Sequence, residues 1–243
     1  MTYLILNIII SLNLMSIYNS SDRYDKKEML IVTEVSQDSN GKFEKFATNK
    51  IIPNEIRELT LEALSYFPDL IHTKIDFQFK KKISGSVMQA QPKVGSLFKH
   101  SKGNRSYKIK ISRYLFLEDN PIPIEDLPKD VFIGWIGHEL GHIQDYLNRS
   151  SLNLLEFGMK YYLSNAFITK AEIAADSYAV AHGLGEEIIA TKNYVLNHDQ
   201  IPLAYKQKIE ALYLSPGEIL SMVDPDMDEE EVVEEKDQSL DAL

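Results

Sequence analysis

His138 and His142 stand four residues apart, and Glu139 follows the first directly, in a stretch ("FIGWIGHELGHIQDYLNR") whose spacing reads as one helix. Four residues is about one helical turn, so both imidazoles leave the same face and can reach one ion at Zn–N distances of about 2.0–2.1 Å. Glu139 is turned too far round the helix to complete the same tetrahedron with ease, but it can reach a water at the open position. Two neutral nitrogen ligands and a carboxylate that accepts a proton from activated water are the parts of metal-assisted hydrolysis. The competing reading is a core helix whose histidines make ordinary hydrogen bonds. Burying three polar side chains without strong partners is expensive, which favours the metal, Zn2+.

A catalytic zinc takes three protein ligands and keeps one position open. Positions 145 and 148 carry Asp145 and Asn148, which excludes the extended pattern with a third histidine six residues on. Downstream, Glu172 and Asp176 lie one turn apart. Glu172 can complete the metal shell, and Asp176 can accept the free N–H of a ligating imidazole, that of His138, and fix its tautomer. Two alternatives stay open at this point. Thr169-x-x-Glu172 also reads as a helix capping box, and with Glu172 folded back as a cap, Asp176 becomes the third ligand. His182, His198 and Tyr178 are unranked candidates for an oxyanion donor.

The elements that must position these residues follow from periodicity. The segment around Asn40-Gly41 reads as a hairpin, and "IPNEIRELTLEALSYF" as a helix. "KIDFQFKK", "SVMQAQPKV" and "YKIKISRYL" alternate like strands. Pro92 cannot donate to a ladder and so places "SVMQAQP" at an edge. Helical spacing then runs from 130 to 148, 152 to 165, 169 to 182, 185 to 197, 203 to 213 and 216 to 222, the last opening on a Ser215–Glu218 capping box. Strands followed by helices predict an α+β fold with a small, mostly antiparallel sheet and a helical bundle carrying the histidine helix. Gly134, Gly137 and Gly141 each cost that helix about 1 kcal/mol relative to alanine, so a close neighbour or a ligand must offset them.

The 243-residue chain has no cysteine, which excludes disulfides, thiolate metal ligands and cysteine nucleophiles. Residues 1–22 read as a signal peptide or weak anchor, or alternatively as a buried N-terminal element, 23–222 as the catalytic domain and 223–243 as a disordered acidic tail. The leader slightly favours an exported or anchored protein over a cytoplasmic one, with any membrane contact confined to the N-terminus. Residues 224–243 hold ten acids and one lysine, whereas residues 80–113 hold ten Lys and Arg and no acid. The basic block reads chiefly as wet strand and loop faces, and nucleic acid is an unlikely partner.

His138-Glu139-Leu140-Gly141-His142 followed by Glu172-x-x-Ala175-Asp176-x-x-Ala179 resembles the gluzincin zinc metallopeptidases, especially the HtpX and CAAX prenyl protease family and the small soluble minigluzincins. The ImmA/IrrE group is similar too, although it usually has Asn where Asp176 stands. The resemblance spans about residues 50–200 and implies a zincin-like fold. It implies zinc held by His138, His142 and Glu172, Glu139 as general base, and Asp176 behind His138. The expected activity is that of a metalloendopeptidase on a peptide or protein substrate, which "SVMQAQP" or "YKIKISR" could take as an added strand. The rival is a zinc-bearing regulatory or binding protein, or a latent zymogen, with little turnover. The acidic tail could dock on the basic residues 80–113 and cover the cleft. Deleting residues 224–243 is then expected to raise peptidase activity most at low salt, where such contacts are strongest; activity unchanged across a salt series would refute the docking.

Overall fold

Alternation of apolar and polar residues builds the sheet. The computed structural model describes residues 41–97, 104–115, 121–150, 154 and 164–224. In it Lys50–Ile51 (β1), Lys74–Lys80 (β2), Met88–Pro92 (β3) and Ser106–Ser112 (β4) form a four-stranded sheet in the order β1-β2-β4-β3. Ile75 and Phe77 of β2, Met88 and Ala90 of β3, and Tyr107, Ile109 and Ile111 of β4 are buried, while the residues between them reach solvent. This is the period of two that turns alternate side chains to one face. Each large apolar side chain buried in this way contributes about 1.5–3 kcal/mol. Tyr114–Leu115 (β5) and Ile122–Pro123 (β6) pair antiparallel in a separate two-stranded sheet.

The main sheet is mixed rather than mostly antiparallel. β1 runs parallel to β2 and β2 parallel to β4; only β3 is antiparallel to its neighbour β4. The chain leaves β2, forms β3 at the outside, and returns with β4 inserted between them. Alternation reports which residues face inward but is the same for either strand direction, and the simplest assumption, that consecutive strands pair, fails at β2 and β3. β3 does lie at the sheet's edge, where Pro92 needs no donor. "YKIKISR", by contrast, is interior as β4 and cannot accept an added strand. The hairpin expected around Asn40-Gly41 is not formed in its described half. Glu44–Ala47 is a 3-10 turn, whose three-residue period brings both Phe43 and Phe46 onto the core.

Among the described residues, apart from a single turn at Val94–Leu97, one helix precedes most of the strands and five follow them. Arg57–Ser65 is α1, Lys129–Asn148 is α2, Asn165–Ala181 is α3, Gly185–Asn197 is α4, Leu203–Leu212 is α5 and Pro216–Val223 is α6. The capping box at Ser215 is present as the sequence predicts, with Ser215 and Glu218 exchanging hydrogen bonds. α2 is central. It packs on β3, α1, α3 and α4, and it is buried almost throughout from Val131 to Tyr146. Buried Arg105 closes its C-terminal end by donating to the carbonyls of Tyr146 and Arg149. Most of the expected 152–165 helix, the leader and the acidic tail from residue 225 lie outside the described residues. Among the described residues no helix is long and apolar enough to cross a membrane.

The glycines of α2 are explained by neighbouring helices. A Cβ at 134 would lie 2.1 Å from Glu187 O, and one at 141 would lie 2.3 Å from Ala175 O. α4 and α3 therefore touch the α2 backbone directly. At an unhindered helical position alanine gains about 1 kcal/mol over glycine, but overpacking costs about 1–3 kcal/mol and backbone atoms cannot rotate aside. Gly141→Ala is therefore expected to lower stability by about 2 kcal/mol in urea denaturation. Gly95→Ala, in a helical turn with nothing within 4 Å, is expected to be neutral or to gain up to about 1 kcal/mol; equal losses for the two would refute the close contact.

Candidate metal centre

Two helices meet to make the site. On α2, one turn separates His138 from His142, whose ring centroids lie 4.7 Å apart with the rings nearly perpendicular. α3 begins at Asn165, one turn earlier than the sequence predicts, and this settles the role of Thr169. Thr169 lies within the helix with its hydroxyl donating to Asn165 O, so it caps nothing. Glu172 is instead mid-helix, 2 % exposed, and faces α2. Its Oε2 lies 3.0 Å from His138 Nε2 and 3.3 Å from His142 Nε2. Ligand atoms of His138, His142 and Glu172 all fall within 4.8 Å of one another, a buried group that can hold a metal ion.

Asp176, one turn on, is fully buried and takes the opposite side of the same ring, its Oδ1 2.7 Å from His138 Nδ1. That position makes Asp176 a partner of His138 from behind and removes it as the third ligand. Its other oxygen, Oδ2, accepts a hydrogen bond of 2.8 Å from Lys192 Nζ on α4. The ammonium lies 4.3 Å from the centre of the Tyr213 ring, and that ring is 5.5 Å from His138. Breaking such a buried pair by removing one partner costs about 3–5 kcal/mol. His142 Nδ1, in contrast, is buried without a hydrogen-bond partner among the described residues.

The tautomers show what the cluster requires. A neutral imidazole carries one N–H. If His138 gives it to Asp176 through Nδ1, its bare Nε2 faces the Glu172 carboxylate, lone pair to lone pair. Positive charge between them resolves the clash, either a second proton on the ring or a cation. Burial opposes a charged ring, but the charges and hydrogen bonds of Asp176 and Glu172 outweigh it and raise His138 to about 10. For Glu172 burial pulls upward, yet the two histidines hold its carboxyl well below the usual carboxylate range. Asp176 is likewise kept low against burial by His138 and Lys192. A tetrahedral ion with bonds of about 2.0–2.1 Å sets neighbouring ligand atoms about 3.3 Å apart, close to the two Glu172 distances.

Glu139 occupies the wall between helix and sheet. It is 4 % exposed, and its Oε2 accepts a hydrogen bond from the Ala90 N–H of β3. Burial raises its pKa against the pull of the two histidines. A cleft of about 560 Å³ runs past all these groups, lined on one side by β3 and on the other by α4 and α5. Trp135, Leu154, Ile188, Val195 and Leu212 make much of it apolar. His182, His198 and Tyr178 do not line it. His182 stacks on Phe67, Tyr178 accepts from Asn148, and His198 packs on Tyr194. The tyrosines that do reach the cleft are Tyr146, Tyr205 and Tyr213.

Lys192 is the residue that motif reading missed. The signal was there: Ile188, Lys192 and Val195 fall on one stripe of α4, and a lysine on an otherwise apolar stripe asks for a buried anion. Comparison of the chain with protein families, with curated proteins and with solved structures returns no match. The site therefore rests on its own geometry. Purified protein equilibrated with zinc and desalted is expected to retain one ion per chain, and His142→Ala to retain less than a tenth of that by elemental analysis. Equal retention by both would place any bound metal elsewhere.

Proposed function

We propose that the protein is a zinc-dependent metalloendopeptidase. The carrying observation is that His138 Nε2, His142 Nε2 and Glu172 Oε2 converge within metal-ligand distance on the wall of a cleft that also exposes the Glu139 carboxylate. The residues fit a divalent ion on charge as well. Ligation requires neutral imidazoles; with Glu139, Glu172 and Asp176 ionised, three carboxylates then face one ammonium, Lys192, so a divalent ion in place of the proton on His138 balances the charge. Nitrogen and carboxylate donors in a closed set of three suit zinc.

When bound, such an ion supplies Lewis acidity, making water a stronger acid and polarising a carbonyl. The chain's own residues then do the positioning. Asp176 fixes the His138 ring with Nε2 directed at the ligand cluster. Glu139, raised by burial toward the working range of a general base, takes a proton from water and hands it to the leaving amine. Its Oε2 is held by the Ala90 N–H, which leaves Oε1 to take the proton. The apolar lining of the cleft excludes water from the reacting carbonyl and receives substrate side chains.

The rival, a zinc-bearing binding protein with little turnover, draws support from that same Glu139–Ala90 bond, which engages the base with the edge strand. One experiment separates the two: zinc content and casein cleavage for wild type and Glu139→Gln. The proposal expects one zinc per chain in both and cleavage by wild type alone, with the variant reduced by about 10²–10⁴-fold. Zinc in both with no cleavage by either favours the binding protein. Absence of zinc from wild type overturns both readings.

A further inference from the structure

We infer that Lys192 is a positioning residue of the metal centre, acting through Asp176 to hold the His138 ring for metal binding. The inference rests on the metal site proposed above, and on a continuous chain of contacts crossing three helices. Lys192 Nζ of α4 donates to Asp176 Oδ2 of α3 at 2.8 Å, and Asp176 Oδ1 meets His138 Nδ1 of α2 at 2.7 Å. Both ends of one carboxylate are thus used, one by the lysine and one by the imidazole.

Three features argue that this is more than a core ion pair. First, Lys192 lines the metal cleft and its ammonium is seated over Tyr213, which leaves Asp176 as the anion it is bonded to. Second, the two imidazoles are supported unequally. His138 is held from behind by Asp176, whereas His142 Nδ1 has no hydrogen-bond partner among the described residues. His142 is placed by stacking on Tyr146, so His138 is the ring whose hydrogen bonding sets its tautomer. Third, an aspartate facing only an imidazole can swing its carboxyl group. Lys192, donating to the far oxygen, fixes the plane of that carboxylate. His138 then presents N–H to Asp176 and a lone pair to the ligand cluster.

The function of such an outer partner is measurable as metal affinity, since loss of one typically weakens binding about 10–100-fold. The test is a zinc affinity measurement by chelator competition on the full chain, for wild type, Lys192→Met, Asp176→Asn and the double variant. Methionine keeps the length of the lysine stem and removes the charge. Lys192→Met is expected to lose about 10–100-fold in affinity. In the Asp176→Asn background the same change is expected to matter by about twofold or less, because there is no carboxylate left for the lysine to act through. The double variant also buries no unpaired charge, so it reports even if Lys192→Met alone fails to fold.

A second readout is the visible spectrum of the cobalt-loaded protein, which follows the geometry of the ligands. Lys192→Met is expected to shift it, and Asp176→Asn and the double variant to share one spectrum. Lys192→Met binding zinc as tightly as wild type overturns the inference, as does an affinity loss of equal size in both backgrounds. The failure of the metal site itself looks different: wild type would then bind no zinc, and His138→Ala would change nothing.

Discussion

Backbone contact between two helices at Gly141 and Ala175 sets the geometry on which the rest of the site depends. With no Cβ at 141, α3 lies against α2 closely enough for Glu172 and Asp176 to reach opposite nitrogens of a single imidazole. A methyl group at that crossing would push the helices apart, and hydrogen-bond distances of 2.7–3.0 Å leave no room for it. The same device recurs two turns earlier, where Gly134 meets the Glu187 carbonyl, and between them Gly137 makes room for the Leu184 side chain. The glycines that weaken α2 as an isolated helix are what let it serve as the axis of the bundle.

Electrostatics then impose a second constraint. Three carboxylates, two imidazoles and an ammonium share a space from which water is largely excluded, and each group's state is decided by its neighbours. Desolvation alone would neutralise Glu172 and Asp176, but the nearby cations prevail and keep both ionised. At Glu139, with only a backbone N–H and the more distant histidines to oppose it, burial prevails. Carboxylates on adjoining elements are therefore driven in opposite directions, one set toward permanent charge and one toward proton exchange.

Much of this was legible in the sequence, and what was not has identifiable causes. The histidine pair, Glu139 and the strand faces follow from periodicities of 3.6 and 2 that tertiary structure preserved. Pro92 located the edge of the sheet because a missing donor has only a few tolerable places. Strand direction was not readable, since inward-facing residues repeat alike in parallel and antiparallel pairs. The role of Glu172 was obscured by Thr169, a plausible cap until α3 proves to start at Asn165. Lys192 was hidden because its partner, Asp176, is sixteen residues away on another helix, and only the packing of α3 against α4 unites them. The tyrosines of the cleft follow no motif and were found only from the fold.

The edge of β3 carries a further consequence. Val87 O accepts from Ser112 N and Lys93 N donates to Ser106 O, so odd positions exchange ladder bonds with β4 and even positions turn outward. Outward-facing groups are already engaged: Ala90 N with Glu139, Ala90 O with the Tyr146 hydroxyl, and Met88 O with the Ser86 hydroxyl, while Pro92 offers no N–H. A visiting polypeptide that pairs at Ala90 would have to evict the resident side chains bond for bond. Such a margin discourages indiscriminate sheet growth between molecules, and it makes departure of the glutamate from the strand part of the act of docking.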